Sequence, residues 1–319
     1  MNNHCGIVLI DKPRGITSAR CVGQIKRILG GVKVGHGGTL DPDATGLLVL
    51  FVGKATTLCD LIMDGEKGYE GEILAGRVTS TDDISGEILR DETENAKVIL
   101  PKADLSKLAD HFKGDLLQAP PQVSAVKIDG KRAYLRARNG DSFVTSPKQV
   151  HISNFTLTRY DSNHCNSNDS GLEPSCLLKY RIQCSKGFYV RSLARDLGEY
   201  LGCGATVVSI RRTLATPFSI SDACRFEDLS TLDSIKIIPW DFPFQTDPIL
   251  SLSNEELKSA LNGQQNTLRQ IDEKFMDVIG QKYRNAILTT EGITKVKIGL
   301  LCYRAGKIHR YFFLPEGFA

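Results

Sequence analysis

The segment Val34–Leu50, VGHGGTLDPDATGLLVL, combines a glycine-rich turn, two aspartates on either side of a proline, and an apolar run. Its three leading glycines allow backbone angles that side chains forbid, so the chain can turn tightly and a ligand can approach it closely. Asp41 precedes Pro42, which favours an extended or turn conformation for the aspartate. The apolar run after Gly46 predicts a buried strand. An acid at the end of a buried strand, on an open turn, is a candidate catalytic residue.

The same segment also has an ordinary structural explanation. Asp-Pro and Gly-Gly pairs are common in turns, so composition alone does not separate a catalytic Asp41 from a turn aspartate. No Lys-Ser or Lys-Thr follows the glycines at the spacing of a phosphate-binding loop, and no GxGxxG opens a helix. The pattern is therefore not that of a nucleotide-binding loop, and the role of Asp41 depends on the rest of the chain.

A second informative segment is Cys184–Ala205, CSKGFYVRSLARDLGEYLGCGA. It follows an alternating strand, and its apolar spacing predicts a turn at Gly187 and then a helix. Tyr189 and Arg191 fall at this strand-to-helix junction. An arginine there is ordinarily a surface or salt-bridged residue. Tyr69, at the start of another predicted strand, is ordinarily a core or sheet-edge tyrosine.

A basic segment, Lys127–Arg138, has Tyr134 among its lysines and arginines. Cations meet phosphates and an aromatic ring stacks on a base, so this composition is typical of a segment that contacts RNA. A solvated charged hairpin has the same composition.

Bulk composition excludes several classes of protein. Among 319 residues, 41% are hydrophobic and 24% are charged, which is typical of a soluble globular protein. No apolar run is long enough to cross a membrane and the N-terminus lacks a signal peptide, which predicts a cytoplasmic location without membrane contact. The nine cysteines form no CxxC pair and the six histidines no HExxH, so we expect reduced thiols and no metal. With a net charge of only +3, a nucleic acid would bind a local basic face.

Taken in order, these motifs resemble the TruB-type tRNA pseudouridine synthases. The segments that carry the resemblance are GIVLIDKPRGITS from Gly6, GHGGTLDPDATGLL from Gly35, Lys67-Gly68-Tyr69, GRVTSTDDISG from Gly76, the PPxxSA and GxxxY elements of the basic region, Tyr189-x-Arg191 and Arg211-Arg212. Val123 and Phe188 depart from the family, which commonly has Tyr and Thr there. We expect Lys12, in the first segment, to be a solvated turn lysine.

The resemblance implies an α+β fold, a mixed central β-sheet with flanking helices (the pseudouridine synthase fold). The catalytic domain would span residues 1–245, with an RNA-clasping insertion at about 117–145. The proline-bearing segment 241–248 would be a linker to a small C-terminal β-rich PUA-like domain at 246–319. We expect a monomer.

The resemblance further implies the reaction, which converts uridine-55 in the T-loop of tRNA to pseudouridine after base flipping. The partner would be the T-arm of tRNA, and no cofactor is expected. Asp41 would be the nucleophile, attacking the base or acting toward the ribose, and both routes stay open. Arg191 beside it would keep the carboxylate charged. Tyr69 would stack on the uracil and take the C5 proton.

The remaining site residues are also implied by matching positions. Tyr189 and Ile210 would wall the uracil pocket, and His36 would occupy the place that the flipped base leaves in the RNA or help to hold that place open. One alternative is a non-catalytic tRNA-binding or folding module on the same scaffold, which would be expected to lose Asp41 or Arg191. Another is an RNA-modifying enzyme that works with a guide RNA and tends to carry partner-binding extensions.

Overall fold

The structure is a computed structural model that describes residues 4–121, 127–128, 131–132, 146–160, 172–279, 283–291 and 296–312. The strands, in chain order, are β1 (Gly6–Lys12), β2 (Val34–His36), β3 (Thr45–Val52), β4 (Lys67–Ala75), β5 (Arg77–Thr79), β6 (Ile88–Asp91), β7 (Gly114–Gln118), β8 (Lys127–Ile128), β9 (Lys131–Arg132), β10 (Lys148–Arg159), β11 (Leu177–Cys184), β12 (Ala205–Ala215), β13 (Phe218–Ser219), β14 (Cys224–Arg225), β15 (Ile249–Leu252), β16 (Asn285–Thr290), β17 (Lys297–Arg304) and β18 (Lys307–Phe312). The α-helices are α1 (Ser18–Ile28), α2 (Cys59–Ile62), α3 (Thr93–Ile99), α4 (Leu105–His111), α5 (Val190–Leu201), α6 (Asn254–Leu261) and α7 (Gln265–Ile279).

Ten of the described strands form one large sheet. Its order is β14-β1-β3-β12-β4-β11-β10-β7, with β2 paired to β3 and β13 paired to β12. The β1–β14 and β3–β12 pairs are parallel, and the other pairs of this sheet are antiparallel. The predicted α+β fold with a mixed central sheet is confirmed.

Helix α1 covers one face of this sheet next to the glycine-rich turn. Thr17 caps it, as its side chain accepts a hydrogen bond from Arg20 N. Cys21 and Ile25 are fully buried, and their spacing places them on one stripe of the helix. They pack in one cluster with residues of β1 and β3 (Val8, Ile10, Leu48 and Leu50).

Helix α5 packs near α3 and α4 against the other half of the sheet. The predicted alternation of β11 is confirmed, since Leu178, Tyr180 and Ile182 are buried while Lys179 and Arg181 are exposed. Three α5 residues, Leu193, Ala194 and Leu197, belong to the same core cluster. This packing places the N-terminus of α5 beside the ends of the central strands.

The C-terminal region forms a second sheet of the described strands β15, β16, β17 and β18, with α6 and α7 packed on it. Ser253 and Glu256 form a capping box at the start of α6, because Ser253 N donates to Glu256 Oε2 and Glu256 N donates to Ser253 Oγ. A turn at Ala305-Gly306 joins β17 to β18. The β-rich character of this region is confirmed, while its PUA-like classification and the boundary at 245/246 stay predictions.

The predicted linker at 241–248 is a packed segment. Asp241 and Phe244 are 4% and 5% exposed, and Asp241 pairs with Lys297 of β17. Trp240 and Phe244 share a cluster with Ile287 and Leu300 of the second sheet. The two prolines suggested an extended connection, but Phe244 is buried between the two sheets, while Phe242 is 40% exposed.

Part of the predicted RNA-clasping insertion lies outside the described residues. Val123 and Tyr134 are in that part, and only the backbone of β8 and β9 is described within Lys127–Arg138.

Over the described ranges, none of the helices is both long and apolar enough to span a membrane.

Candidate active site

The turn that carries Asp41 is held by backbone contacts on both sides. Ala44 N donates to Asp41 O at 3.1 Å. Gly46, the second residue of β3, has a φ of +97°. A Cβ at Gly46 would lie 2.3 Å from Arg212 O, so only glycine fits between the two strands. The Asp41 side chain is 49% exposed and can meet a ligand.

Lys12 lies under this turn, and the expectation of a solvated lysine is wrong. It is 0% exposed, and its Nζ donates to Pro13 O (3.0 Å), Ile16 O (2.8 Å) and Pro42 O (3.0 Å). Desolvation by burial lowers the pKa of its ammonium group. Because Pro42 follows Asp41 directly, Lys12 fixes the backbone that carries the candidate nucleophile.

The Lys12→Met variant is expected to lower the free energy of unfolding by about 2 kcal/mol, because three carbonyls lose their shared donor. Urea denaturation measures this change. Lys26→Met, which removes an exposed lysine from α1, is the control and is expected to change stability by less than about 0.5 kcal/mol. Equal stability of the two variants would contradict the anchoring role of Lys12.

Arg191 joins the turn to the Gly76–Gly86 segment. The guanidinium Nη2 lies 2.9 Å from Asp41 Oδ2, while Nη1 lies 3.4 Å from Asp83 Oδ2 and donates to Thr81 O at 3.2 Å. Its side chain is 7% exposed. A buried cation between two carboxylates is oriented as well as stabilised by charge-assisted hydrogen bonds.

Asp83 is a functional candidate that sequence reasoning missed. Its Oδ1 accepts from Thr81 Oγ1 at 2.8 Å and from Ser85 N at 3.1 Å, which leaves Oδ2 to face Arg191. In the sequence, Asp83 lies within the motif GRVTSTDDISG, but nothing in that motif indicates which cation the carboxylate would pair with. Only the distance to Arg191, 108 residues away in the chain, reveals the role.

Asp41 and Arg191 line a cavity of about 330 Å³ at the strand ends. Three other predicted site residues, Tyr69, Tyr189 and Ile210, line the same cavity. A pocket with convergent polar groups and apolar walls is the usual form of a small-ligand site. The structure thus brings five of the six predicted site residues together.

His36 is the sixth predicted residue, and it does not line this cavity, although the next residue, Gly37, does. It ends the short strand β2, where it pairs with Leu50, and Cys59 Sγ lies 3.6 Å from its carbonyl oxygen. Among the described residues that line the cavity, His36 does not occur. Its role toward RNA stays a prediction.

Arg212 is a second residue whose role was missed. It is 2% exposed, its Nε donates to Leu47 O at 2.7 Å and its Nη2 donates to Gly38 O at 3.2 Å. It is paired with Tyr69 across β12 and β4. Burial raises the pKa of the Tyr69 hydroxyl, and the adjacent Arg212 acts in the opposite direction. The tyrosine is therefore neutral in the resting site, beside a cation that favours its phenolate.

Lys67 forms part of the cavity wall below Tyr69. It is 7% exposed, and its Nζ donates to Met63 O at 2.9 Å and to Gly65 O at 2.5 Å. Desolvation and the nearby Arg212 lower the pKa of Lys67 to about 8. The folded protein therefore releases this proton more readily than the unfolded chain, whose lysine has the ordinary value of 10.5.

This shift predicts a pH-dependent contribution to stability. Between about pH 8 and pH 10.5 the unfolded state binds more protons than the folded state, so stability from Lys67 rises with pH. Relative to Lys67→Met, the wild-type free energy of unfolding is expected to gain roughly 3 kcal/mol across this window. Urea denaturation at several pH values measures the difference. A difference that stays constant with pH would contradict the shifted lysine.

A larger cavity of about 670 Å³ lies along the same strands. It is lined by the alternate residues Glu70, Glu72, Lys179 and Arg181, and Ile210 is common to both cavities. Neither Asp41 nor Arg191 lines it. The ionised pair therefore assigns the chemistry to the smaller cavity.

Among the residues that the structure describes, no group of three or more His, Cys, Asp and Glu side chains is arranged to hold a metal ion. The side chains of the smaller cavity offer one ion pair, aromatic and aliphatic walls, and buried cations. This arrangement suits a carboxylate that reacts with a planar, uncharged ring.

The sequence profile described as "TruB family pseudouridylate synthase (N terminal domain)" matches residues 26–190, which contain Asp41 and Tyr69. The chain belongs to the TruB family. A second profile, "tRNA pseudouridylate synthase B C-terminal domain", matches residues 191–235. The two TruB profiles meet between Tyr189 and Arg191, at the start of α5.

Curated TruB relatives extend this match over most of the chain. The tRNA pseudouridine synthase B of Dinoroseobacter shibae is 36% identical over 95% of this chain and 93% of the relative. That of Endomicrobium trichonymphae is 40% identical over 75% of this chain and 97% of the relative. A solved structure, "Crystal Structure of a Cbf5-Nop10-Gar1 Complex", has the same fold, with a TM-score of 0.59, 20% identity, and coverage of 98% of this chain and 85% of that one.

Proposed function

We propose that this chain isomerises uridine-55 in the T-loop of tRNA to pseudouridine, with Asp41 as the nucleophile. The observation that carries the proposal is the ion pair of Asp41 and Arg191 at the wall of the cavity that contains Tyr69. Relatives named tRNA pseudouridine synthase B support tRNA as the substrate. The non-catalytic alternative is not favoured, because the charged pair is intact.

The reaction moves one bond without changing the composition of the nucleoside. The N1–C1′ glycosidic bond breaks, the uracil turns, a C5–C1′ bond forms, and the C5 proton is lost while N1 gains one. Asp41 acts while the uracil and the ribose are separated, either by attack on the base or by acting toward the ribose. Either route uses the carboxylate of Asp41, which the buried Arg191 holds and orients at 2.9 Å.

The target base is stacked inside the folded tRNA and has to be extruded before it can meet Asp41. Unstacking costs on the order of a few kcal/mol, which contacts in the pocket offset. Tyr69 provides a ring for stacking, and Tyr189 and Ile210 provide the walls. The cavity of about 330 Å³ has room for a pyrimidine ring.

Proton removal from C5 is the step that we propose for Tyr69. Burial raises the pKa of its hydroxyl, so the hydroxyl is protonated before substrate enters. In the proposed step this proton passes to N1 of the uracil, and the phenolate oxygen then takes the proton from C5, which returns the tyrosine to its neutral form. The adjacent Arg212 guanidinium stabilises the transient phenolate. Arg212 therefore has a proposed electrostatic role beside its structural one.

The remaining parts of the proposal concern partners and domains. Residues 1–245 would form the catalytic domain, and residues 246–319 an RNA-binding domain for the T-arm. We propose that the protein acts in the cytoplasm as a monomer, without a metal ion, and that His36 fills the position that the flipped base leaves.

The proposed reaction is tested by tritium release from a T-loop minihelix labelled at C5 of the target uridine. Release by the wild type and not by Asp41→Ala would agree with both the reaction and its nucleophile. Release by neither, with the minihelix still bound, would favour a binding module. Release by both would show that Asp41 is not the nucleophile.

A further inference from the structure

Gln118, the last residue of β7, is a buried amide that the mechanism above does not use. It is 3% exposed, and its backbone is paired with Lys148 across the edge of the large sheet. A buried amide side chain has to find partners for its donor and its acceptor. Both partners of Gln118 lie 71 residues away in the chain.

The two partners are the backbone groups of a single residue, Tyr189. Tyr189 N donates to Gln118 Oε1 at 2.8 Å, and Gln118 Nε2 donates to Tyr189 O at 3.0 Å. Because one planar amide meets both the N–H and the C=O of Tyr189, the backbone angles between those groups are restricted. Gln118 therefore holds Tyr189 in one conformation.

Tyr189 is also the residue at which α5 begins. Its backbone is extended (φ −119°, ψ 114°), its own side chain makes no capping hydrogen bond, and its carbonyl accepts from Leu193 N at 3.2 Å. Its side chain lines the cavity, and Arg191 follows two residues later. A change in the backbone angles of Tyr189 would thus displace both its own side chain in the pocket wall and the guanidinium of Arg191 that faces Asp41.

The next residue of the chain after Gln118 adds a second contact with α5. Ala119 O accepts from Ser192 Oγ at 2.8 Å and from Arg195 Nη2 at 3.1 Å. Ser192 is 0% exposed. Four hydrogen bonds therefore join two consecutive residues at the sheet edge to the first two turns of the helix.

We propose that Gln118 is a positioning residue for the isomerisation, acting through Tyr189 to set the place of Arg191 against Asp41. This inference rests on the proposed function. Gln118 does not line the cavity of about 330 Å³ and is not a member of the Asp41–Arg191 ion pair. It therefore acts on the rate through the backbone of Tyr189. A small displacement of catalytic groups lowers the rate much more than it lowers RNA affinity.

The test compares single-turnover tritium release, minihelix affinity and unfolding free energy in three variants. Gln118→Met keeps the length of the side chain and removes both hydrogen bonds. Gln118→Glu keeps the acceptor for Tyr189 N but loses the donor to Tyr189 O. The matched control is Gln24→Met, which removes a hydrogen bond of 2.6 Å from Gln24 Nε2 to Leu229 O; neither residue lines the cavity.

Gln118→Met is expected to react about 10- to 100-fold more slowly than wild type, with RNA affinity changed by less than about threefold. The rate of Gln118→Glu is expected to be about 3- to 10-fold lower than that of the wild type, because one of its two hydrogen bonds to Tyr189 remains. Gln24→Met is expected to lose stability without a change in rate. If Gln118→Met fails to fold, Gln118→Glu decides the result.

Wild-type rates in every foldable Gln118 variant would overturn the positioning role. A loss of rate in Gln118→Met that Gln24→Met shows equally, at the same loss of stability, would also overturn it. No release by the wild type itself would instead refute the proposed function, so the two failures are distinguishable.

Discussion

The Asp41→Asn variant is expected to form pseudouridine at least about 10⁴-fold more slowly than the wild type, because an amide is neither nucleophilic nor basic enough for either route. The side chain keeps its shape, and its oxygen can still accept from Arg191. Arg191 also keeps Asp83 and Thr81 as partners. Folding and RNA binding are therefore expected to be nearly unchanged, which isolates the loss of chemistry.

Asp43→Asn is the matched control for this variant. Asp43 is two residues away on the same turn, and it pairs with Arg14 at 3.4 Å while both side chains are more than half exposed. Such a pair contributes about 0–1 kcal/mol, so its loss is expected to change the rate by less than about threefold. Single-turnover conversion measured with enzyme in excess compares the two variants. An Asp41→Asn rate within about tenfold of wild type would refute the assignment.

The fold could be predicted from sequence wherever a periodic pattern coincides with a local signal. Strand β11 alternates cleanly and α5 follows a turn at Gly187, so both elements were predicted. Likewise, local signals mark two other helices, since a capping threonine begins α1 and the capping box of Ser253 begins α6. In contrast, α7 was not assigned, although its Ile271, Phe275 and Ile279 lie on one buried stripe. No capping residue drew attention to the helix.

The site was predictable to the extent that its residues lie in short motifs. Asp41, Tyr69 and Arg191 were assigned from motif order, and the structure places them around one cavity. Lys12 and Asp83 were in the same motifs, but their roles depend on partners that only the fold supplies. A lysine next to a proline is ordinarily solvated, and three carbonyls converging on it cannot be deduced from spacing.

The predictable and unpredictable residues differ in what determines their position. A side chain that caps a helix or faces a core obeys local geometry. A buried ion such as Lys12 or Arg212 exists only because distant backbone carbonyls enclose it. Such groups cost free energy to bury unless these partners are present, and their partners are set by the whole topology.

Arg191→Met is expected to lower the isomerisation rate by about 10²- to 10³-fold, the second largest effect among the variants. Removal of the guanidinium leaves Asp41 and Asp83 near each other without the cation that both oxygens face. The Asp41 carboxylate then lacks the guanidinium that holds and orients it. The free energy of unfolding is expected to fall as well, by about 1–3 kcal/mol, because Asp83 is only partly solvated.

Two comparisons separate the loss of charge from the loss of geometry at Arg191. Arg191→Lys keeps a cation, but one ammonium cannot reach both carboxylates and Thr81 O in the planar arrangement that guanidinium allows, so its rate is expected to lie between those of Arg191→Met and wild type. Arg181→Met removes an arginine whose side chain is 81% exposed and whose pair with Glu70 is 3.3 Å long. Its rate is expected to stay within about twofold of wild type. Equal rates for Arg191→Met and Arg181→Met, measured on folded protein, would show that the Asp41–Arg191 pair has no part in the reaction.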